Sequence, residues 1–360
     1  MNMRLKMMRR QKWVIAGVAV LAMMSSVVLV ATNFQLVQVN SSNIEKNVWA
    51  SPSVSWVMNP TNTIVYIAGT STAGTTLAAA SDLSTLLGNA FNLWSGATYQ
   101  STLANGLSFT EGANSTANSQ FNSNDCVNTI GFTQNLGSSI IGETQVTHIT
   151  TGTPGSPIGA YNISSACQGT CPYQVCIIDA DVEFNSGFNF YTPSYSSPPS
   201  SYFDLRTVAT HEIGHMIGLD HSGLASAIMF PYGDSGNGGA KSALTLDDLI
   251  GSEVLYPNSS SGIESLLGQI TGNVSFSGGG GVYAAHLVAY DDTTGNTVTD
   301  TLADPNGNYT LVVPAGVYVV ALYPLAPDNN HGDTTINNYT GFAGGYPSAT
   351  INTNYTGQTH

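Results

Sequence analysis

His211-Glu-Ile-Gly-His215-Met-Ile-Gly-Leu-Asp-His221 is the stretch from which the rest of this 360-residue sequence can be organised. Two histidines four residues apart on a helix share a face and can grip one metal ion. Asp204, seven residues upstream, is a good N-cap and places the helix start there. Glu212 follows the first histidine and falls beside the same point. Gly218 can leave the right-handed helix without steric cost, which lets the chain turn and bring His221 back to the pair. Three imidazoles and one open position make a catalytic zinc site, whereas a structural site would be closed by four protein ligands. The chain has seven histidines in all, so three in this register are hard to ascribe to chance.

Met229, eight residues past His221, lies in Ala227-Ile-Met-Phe-Pro231, and further on come Leu246-Asp-Asp-Leu-Ile-Gly251 and Leu255-Tyr256. Together with His211, Glu212, His215, Gly218, His221 and Ser222, these stretches resemble the metzincin metallopeptidases, and within them the matrixins. The resemblance implies an α+β catalytic domain, a twisted mixed sheet with long helices, over residues 48–257. It implies a catalytic zinc on His211, His215 and His221, with Glu212 as general base and acid in the hydrolysis of peptide bonds. Met229, otherwise ordinary core filling, would form an apolar floor under the metal. Asp247 and Asp248 would brace the methionine turn and the chain start. A peptide or protein substrate would lie extended along an edge strand, for which Ile140–Ile149 is the best candidate. The family's second, structural zinc needs histidines between the first helix and the active-site helix; only His148 is available. The glycine-rich run 233–244 occupies the place of the specificity loop, so no substrate preference carries over.

Working outward, the charge pattern is unusual. Only 8% of residues are charged, against about 25% in ordinary globular proteins. Arg4, Lys6, Arg9, Arg10 and Lys12 crowd the start, leaving Lys46, Arg206 and Lys241 to face 22 acidic residues. Such a body has no basic patch to neutralise phosphates, which excludes nucleic-acid binding. It also gathers little positive charge in acid, an expectation of acid tolerance opposed by histidines that must stay deprotonated to bind metal. The apolar run 13–31 behind the basic segment reads as a signal peptide or signal anchor over 1–31, possible membrane anchoring included. The positive-inside rule then puts the remainder outside the cell, as a secreted or extracellular protein. Cys126, Cys167, Cys171 and Cys176 accordingly read as two disulfides with three possible pairings.

The polar stretch 32–47 reads as a tether. Leu83, Leu86, Leu87, Ala90, Phe91 and Trp94 repeat at helical spacing. Asp179, Asp181 and Glu183 alternate along a strand and project from one face. A solvated acidic face is the plainer reading; a structural calcium is the sharper one, since matrixins commonly carry it. Residues 258–267 read as a linker. From 268 to 360, short alternating strands with turn signals suggest a small all-β sandwich, and Gly268-Gln-Ile-Thr-Gly272, Asp304-Pro-Asn-Gly-Asn-Tyr309 and Pro314-Ala-Gly-Val-Tyr318 resemble carboxypeptidase regulatory-like domains. The tail after Asp328 is Asn- and Gly-rich, compatible with closing strands or with disorder. The leading functional expectation is an exported zinc endopeptidase. Its rivals are a catalytically inactive surface or adhesion protein on the same scaffold, and a zinc hydrolase of non-peptide substrates. Oligomeric state is not legible.

Overall fold

Alternating burial in the first sheet strand shows how the sequence builds its layers. The computed structural model describes residues 34–40, 43–58, 67–68, 80–113, 121–122, 125–151, 153, 155–192, 198–236, 240–258, 263–326, 334–351 and 358–359. The N-terminal segment 1–31, with the apolar run expected to cross or leave a membrane, lies outside them. Among the described residues no helix is long and apolar enough to span a bilayer.

The chain enters through an antiparallel hairpin, β1 (Leu36–Asn40) and β2 (Asn43–Lys46). Strand β3 (Ser53–Met58) buries Val54, Trp56 and Met58 on one face, and that face receives helix α1 (Ala80–Ser95). Phe91 stacks on Trp56 with ring centroids 4.8 Å apart and meets Phe109 at 4.7 Å. Strands β4 (Ser108–Glu111), β5 (Thr129–Thr133), β6 (Gly142–Thr150) and β7 (Val175–Asn185) complete a five-stranded sheet in the order β4-β3-β5-β7-β6. All neighbours are parallel except β6, which runs antiparallel to β7 and forms the edge. Helix α2 (Leu205–Met216) lies against α1, where Trp94 is fully buried and donates its indole N–H to Thr210 O at 2.9 Å. Helix α3 (Leu246–Leu255) closes this half with a capping box built from Thr245 and Asp248. Disulfides join Cys126 to Cys167 and Cys171 to Cys176.

Beyond α3, strand β8 (Leu267–Asn273) pairs with β11 (Asn308–Pro314), while β9 (His286–Asp291) lies between β10 (Thr297–Leu302) and β12 (Tyr318–Tyr323). Val282, Ala285, Leu287, Ala289, Val298, Leu311 and Val313 form a small core of their own. The final described strand, Gln358–Thr359, pairs with β12, as a closing strand would.

Three segments differ from their sequence reading. The expected tether carries the β1–β2 hairpin, and Phe34, only 3% exposed, bridges to Leu219 just past α2. The expected linker ends in a 3-10 turn, Ile263–Leu266, whose Ile263 is buried against Ala97, Ala104 and Leu249. The Asn- and Gly-rich tail contains a 3-10 turn, Ile336–Asn338, and the short helix α4 (Thr340–Gly344), with Tyr339 and Phe342 buried in the main core.

Candidate active site

Helix α2 starts where its first free amides find an acceptor: Asp204 Oδ1 takes the Thr207 N–H at 2.7 Å. It ends at Gly218, whose φ of +95° suits a residue without Cβ. Gly218 N donates to His215 O at 2.9 Å and Leu219 N to Gly214 O at 3.0 Å, closing the helix and reversing the chain toward His221. A Cβ at Gly218 would lie 2.1 Å from the Asn47 carbonyl oxygen, so the hairpin packs directly on this turn.

The three histidines are thereby brought together, with one ring nitrogen each within 4.8 Å of the others. Nε2 of His215 and Nε2 of His221 are 3.2 Å apart. Each Nδ1–H donates to a backbone carbonyl: His211 to Ile228 O at 2.8 Å, His215 to Leu219 O at 2.9 Å, and His221 to Asn338 O. A carbonyl only accepts, so these bonds fix the proton on Nδ1 and leave the three Nε2 lone pairs convergent. Burial lowers all three histidines below the usual imidazole range, and the neighbouring imidazoles add to it for His211 and His221; His221 comes down to about 3. Neutral, pre-oriented imidazoles with a shared vertex fit a tetrahedral zinc ion.

Glu212 sits beside that vertex, 4% exposed. Thr144 of β6 donates its hydroxyl to Glu212 Oε2 at 2.8 Å and lies 2.9 Å from the Glu212 carbonyl oxygen. Burial, aided by nearby Glu143, raises the carboxyl to about 8. Gly142 leaves room for it: a Cβ there would be 2.7 Å from Glu212 Oε1. Met229, 1% exposed, packs on Gly214 of α2 so closely that a Cβ there would meet its sulfur at 2.2 Å. Asp248 holds the turn: Ile228 N and Met229 N donate to its two carboxylate oxygens at 3.0 and 3.1 Å. Asp247 has a different partner from the chain start that the resemblance implied. It accepts from Thr299 Oγ1 at 2.8 Å and Asp300 N at 3.2 Å, both on β10.

These groups floor a cleft of about 920 Å³. One wall is the edge strand β6, with Gly142, Glu143, Thr144, Val146 and His148; the other carries Phe230, Pro231 and Tyr232. Gln35, Thr340 and Gly341 also line it. Sequence reading did not single out Thr144, Gly142 or Asn338. Thr144 could have been found from the alternation of β6, whereas nothing in the Asn-rich tail marks Asn338.

The acidic trio behaves otherwise than a solvated face. Asp179, Asp181 and Glu183 are 0%, 1% and 4% exposed, with the stretch 125–129 and Gln145 packed against their carboxylates. Asp179 Oδ2 accepts from Asp125 N and Cys126 N, Asp181 Oδ1 from Thr129 N, and Glu183 Oε1 from Gln145. Asp179 Oδ1 and Asp181 Oδ2 are buried with no hydrogen-bond partner among the described residues. Desolvation raises both aspartates to about 7.

The sequence profile of the matrixins, peptidase family M10, matches residues 60–257. The chain belongs to the matrixin family. Similar proteins are karilysin of Tannerella forsythia, 45% identical over 73 residues, and metalloendoproteinase 5-MMP of Arabidopsis thaliana, 43% over 65. Matrilysin of Rattus norvegicus is 45% identical over 49 residues. These stretches are 20%, 18% and 14% of this chain and 15%, 18% and 18% of the relatives, so the chain spans less than a fifth of each. Matrixin membership implies a catalytic zinc, and the histidine cluster fits one.

Proposed function

We propose that the protein is an exported zinc-dependent endopeptidase in which His211, His215 and His221 hold the metal and Glu212 moves the proton. The observation that carries this reading is the convergence of three Nε2 atoms beside a buried carboxylate on the floor of an open cleft. Bound there, zinc supplies a Lewis acid that lowers the pKa of water toward ~7 and polarises a peptide carbonyl. Everything else falls to the chain's own residues. With a cation beside it the Glu212 carboxyl would be drawn back down to its ionised form, able to take a proton and return it to the leaving amine, and the Thr144 hydroxyl fixes one of its oxygens. Strand β6, at the edge of the sheet among the described residues, offers main-chain donors and acceptors to an extended peptide. Such pairing binds backbone rather than sequence, so it favours broad acceptance of substrates.

The described cleft is the core of a larger proposed organisation. A signal segment over 1–31 delivers the chain outside the cell, residues 48–257 form the peptidase, and 268–360 form a β-sandwich module. The unpartnered oxygens Asp179 Oδ1 and Asp181 Oδ2 suit a structural calcium ion.

Glu212→Gln tests the mechanism. It should retain stoichiometric zinc while cleavage of a broad peptide library drops by at least about a hundredfold. A variant that cleaves at the wild-type rate would refute Glu212 as the proton carrier. A wild-type protein that binds no zinc would refute the site.

A further inference from the structure

Each histidine of the cluster is oriented by one backbone carbonyl, and the three carbonyls come from different parts of the chain. Leu219 follows the helix and Ile228 belongs to the methionine turn, but Asn338 lies 117 residues beyond its partner, His221. We infer that the segment Thr334–Ile351 is a working part of the metal centre, with Asn338 as the positioning residue for His221. This rests on the zinc reading above and extends it to residues outside the matched catalytic region.

Several contacts hold the Asn338 carbonyl in place. Its side-chain Oδ1 accepts from Thr335 N at 2.8 Å, Thr335 Oγ1 at 3.1 Å and the Tyr232 hydroxyl at 3.2 Å, tying the turn to the cleft wall. On the far side of His221, Phe342 N donates to Asp220 Oδ2 at 2.5 Å, and Asp220 Oδ1 accepts from His221 N at 2.9 Å. Asp220 is 2% exposed, so this clamp works in a poorly solvated setting. Phe342, fully buried, stacks on Tyr283 with centroids 5.7 Å apart, which seats the segment on the C-terminal module. Gly341 closes the packing: a Cβ there would stand 2.9 Å from Gln35 Cα and 3.0 Å from Asp220 Oδ2. The third ligand is thus held in register by pieces from both ends of the described chain. An imidazole whose Nδ1–H is held by a carbonyl has its tautomer and ring plane set before metal arrives, and such partners affect metal affinity about 10- to 100-fold.

The test uses the full chain and reads zinc affinity by competition with a chromophoric chelator. Asn338→Ala removes the acceptor shared by three donors and should weaken zinc binding about 10- to 100-fold. Asn338→Asp keeps an acceptor oxygen and should stay within about threefold of the wild type, a rescue that loss of bulk packing would not produce. In parallel, hydrogen exchange of the unmodified protein should slow at the amides of 338–342 when zinc is added. This second readout stands even where Asn338→Ala fails to fold. Unchanged affinity in a folded Asn338→Ala, or no zinc-linked protection at 338–342, would overturn the inference while leaving the three-histidine site intact. Failure of the wild type to bind zinc at all would instead remove the reading on which it rests.

Discussion

Replacing Gly218 by alanine adds one methyl group, and the structure dictates a large effect. The position has φ +95°, a region that costs an L-residue about 1–2 kcal/mol. Its Cβ would also stand 2.1 Å from the Asn47 carbonyl oxygen and 3.3 Å from the carbonyl carbon. Relief requires the hairpin to back away by roughly 1 Å, because ordinary Cβ contacts with backbone atoms stay beyond ~3 Å. That movement strains the bonds from Gln35 N to Gly218 O at 2.9 Å and from Asn47 N to Gln35 O at 2.8 Å. At about 0.5–1.5 kcal/mol each, these bring the total to roughly 2–5 kcal/mol. Urea unfolding of the metal-free protein should register that loss, and zinc affinity should fall with it because His221 hangs from this turn. Gly88→Ala is the matched control: helix α1 leaves open space around it, so the same substitution should stabilise by about 0.5–1 kcal/mol. A Gly218→Ala protein within about 0.5 kcal/mol of wild type would show that the hairpin is not seated as described.

Asp248→Ala removes the acceptor of Ile228 N, Met229 N and Thr245 N in a site 1% exposed. At about 1–3 kcal/mol per stranded donor, the loss should reach at least about 3 kcal/mol by denaturant titration; a change under about 1 kcal/mol would contradict the bracing role. The pH dependence follows from Asp179 and Asp181. Their folded pKa values, about 7, lie above the unfolded ones, about 4, so the stability they contribute is lost as pH rises from about 4 to about 7. The buried cluster histidines, lowered by desolvation, push the other way over part of that range, so the effect is read as a difference. Relative to Asp179→Asn with Asp181→Asn, the metal-free wild type should lose melting temperature between about pH 4 and about pH 7, and added calcium should raise the wild-type melting temperature at about pH 8. A difference that does not change with pH would refute the burial argument, and indifference to calcium would remove the cation.

How legible these features were depends on the range of the interaction that makes them. Asp204, His211, Glu212, His215 and Gly218 act within one helix and its caps, where spacing and local chemistry translate directly into geometry. The edge strand was placed within two residues of β6 because alternation marks it. Burial of Asp179 and Asp181 was not legible: alternation says which face they share, but which elements cover that face depends on β5 and the Cys126 loop, some 50 residues away. The hairpin at 36–46 and the turn at 336–338 hold their places through buried aromatics just outside them, Phe34 for the first and Tyr339 and Phe342 for the second. Their elements run to five residues at most, too short for a periodic pattern to stand out, so both resemble tails until their partners are present. Asp247 follows the same rule, since its contact on β10 lies 52 residues downstream.

The position of Asn338 also bears on timing. A polypeptide is made from its N-terminus, so the helix with His211 and His215 emerges well before the carbonyl that orients His221. For more than a hundred residues of synthesis His221 lacks the carbonyl that orients it. The third imidazole therefore takes its fixed orientation only after the Asn338 turn has been made, so the site is completed later than the helix that carries most of it.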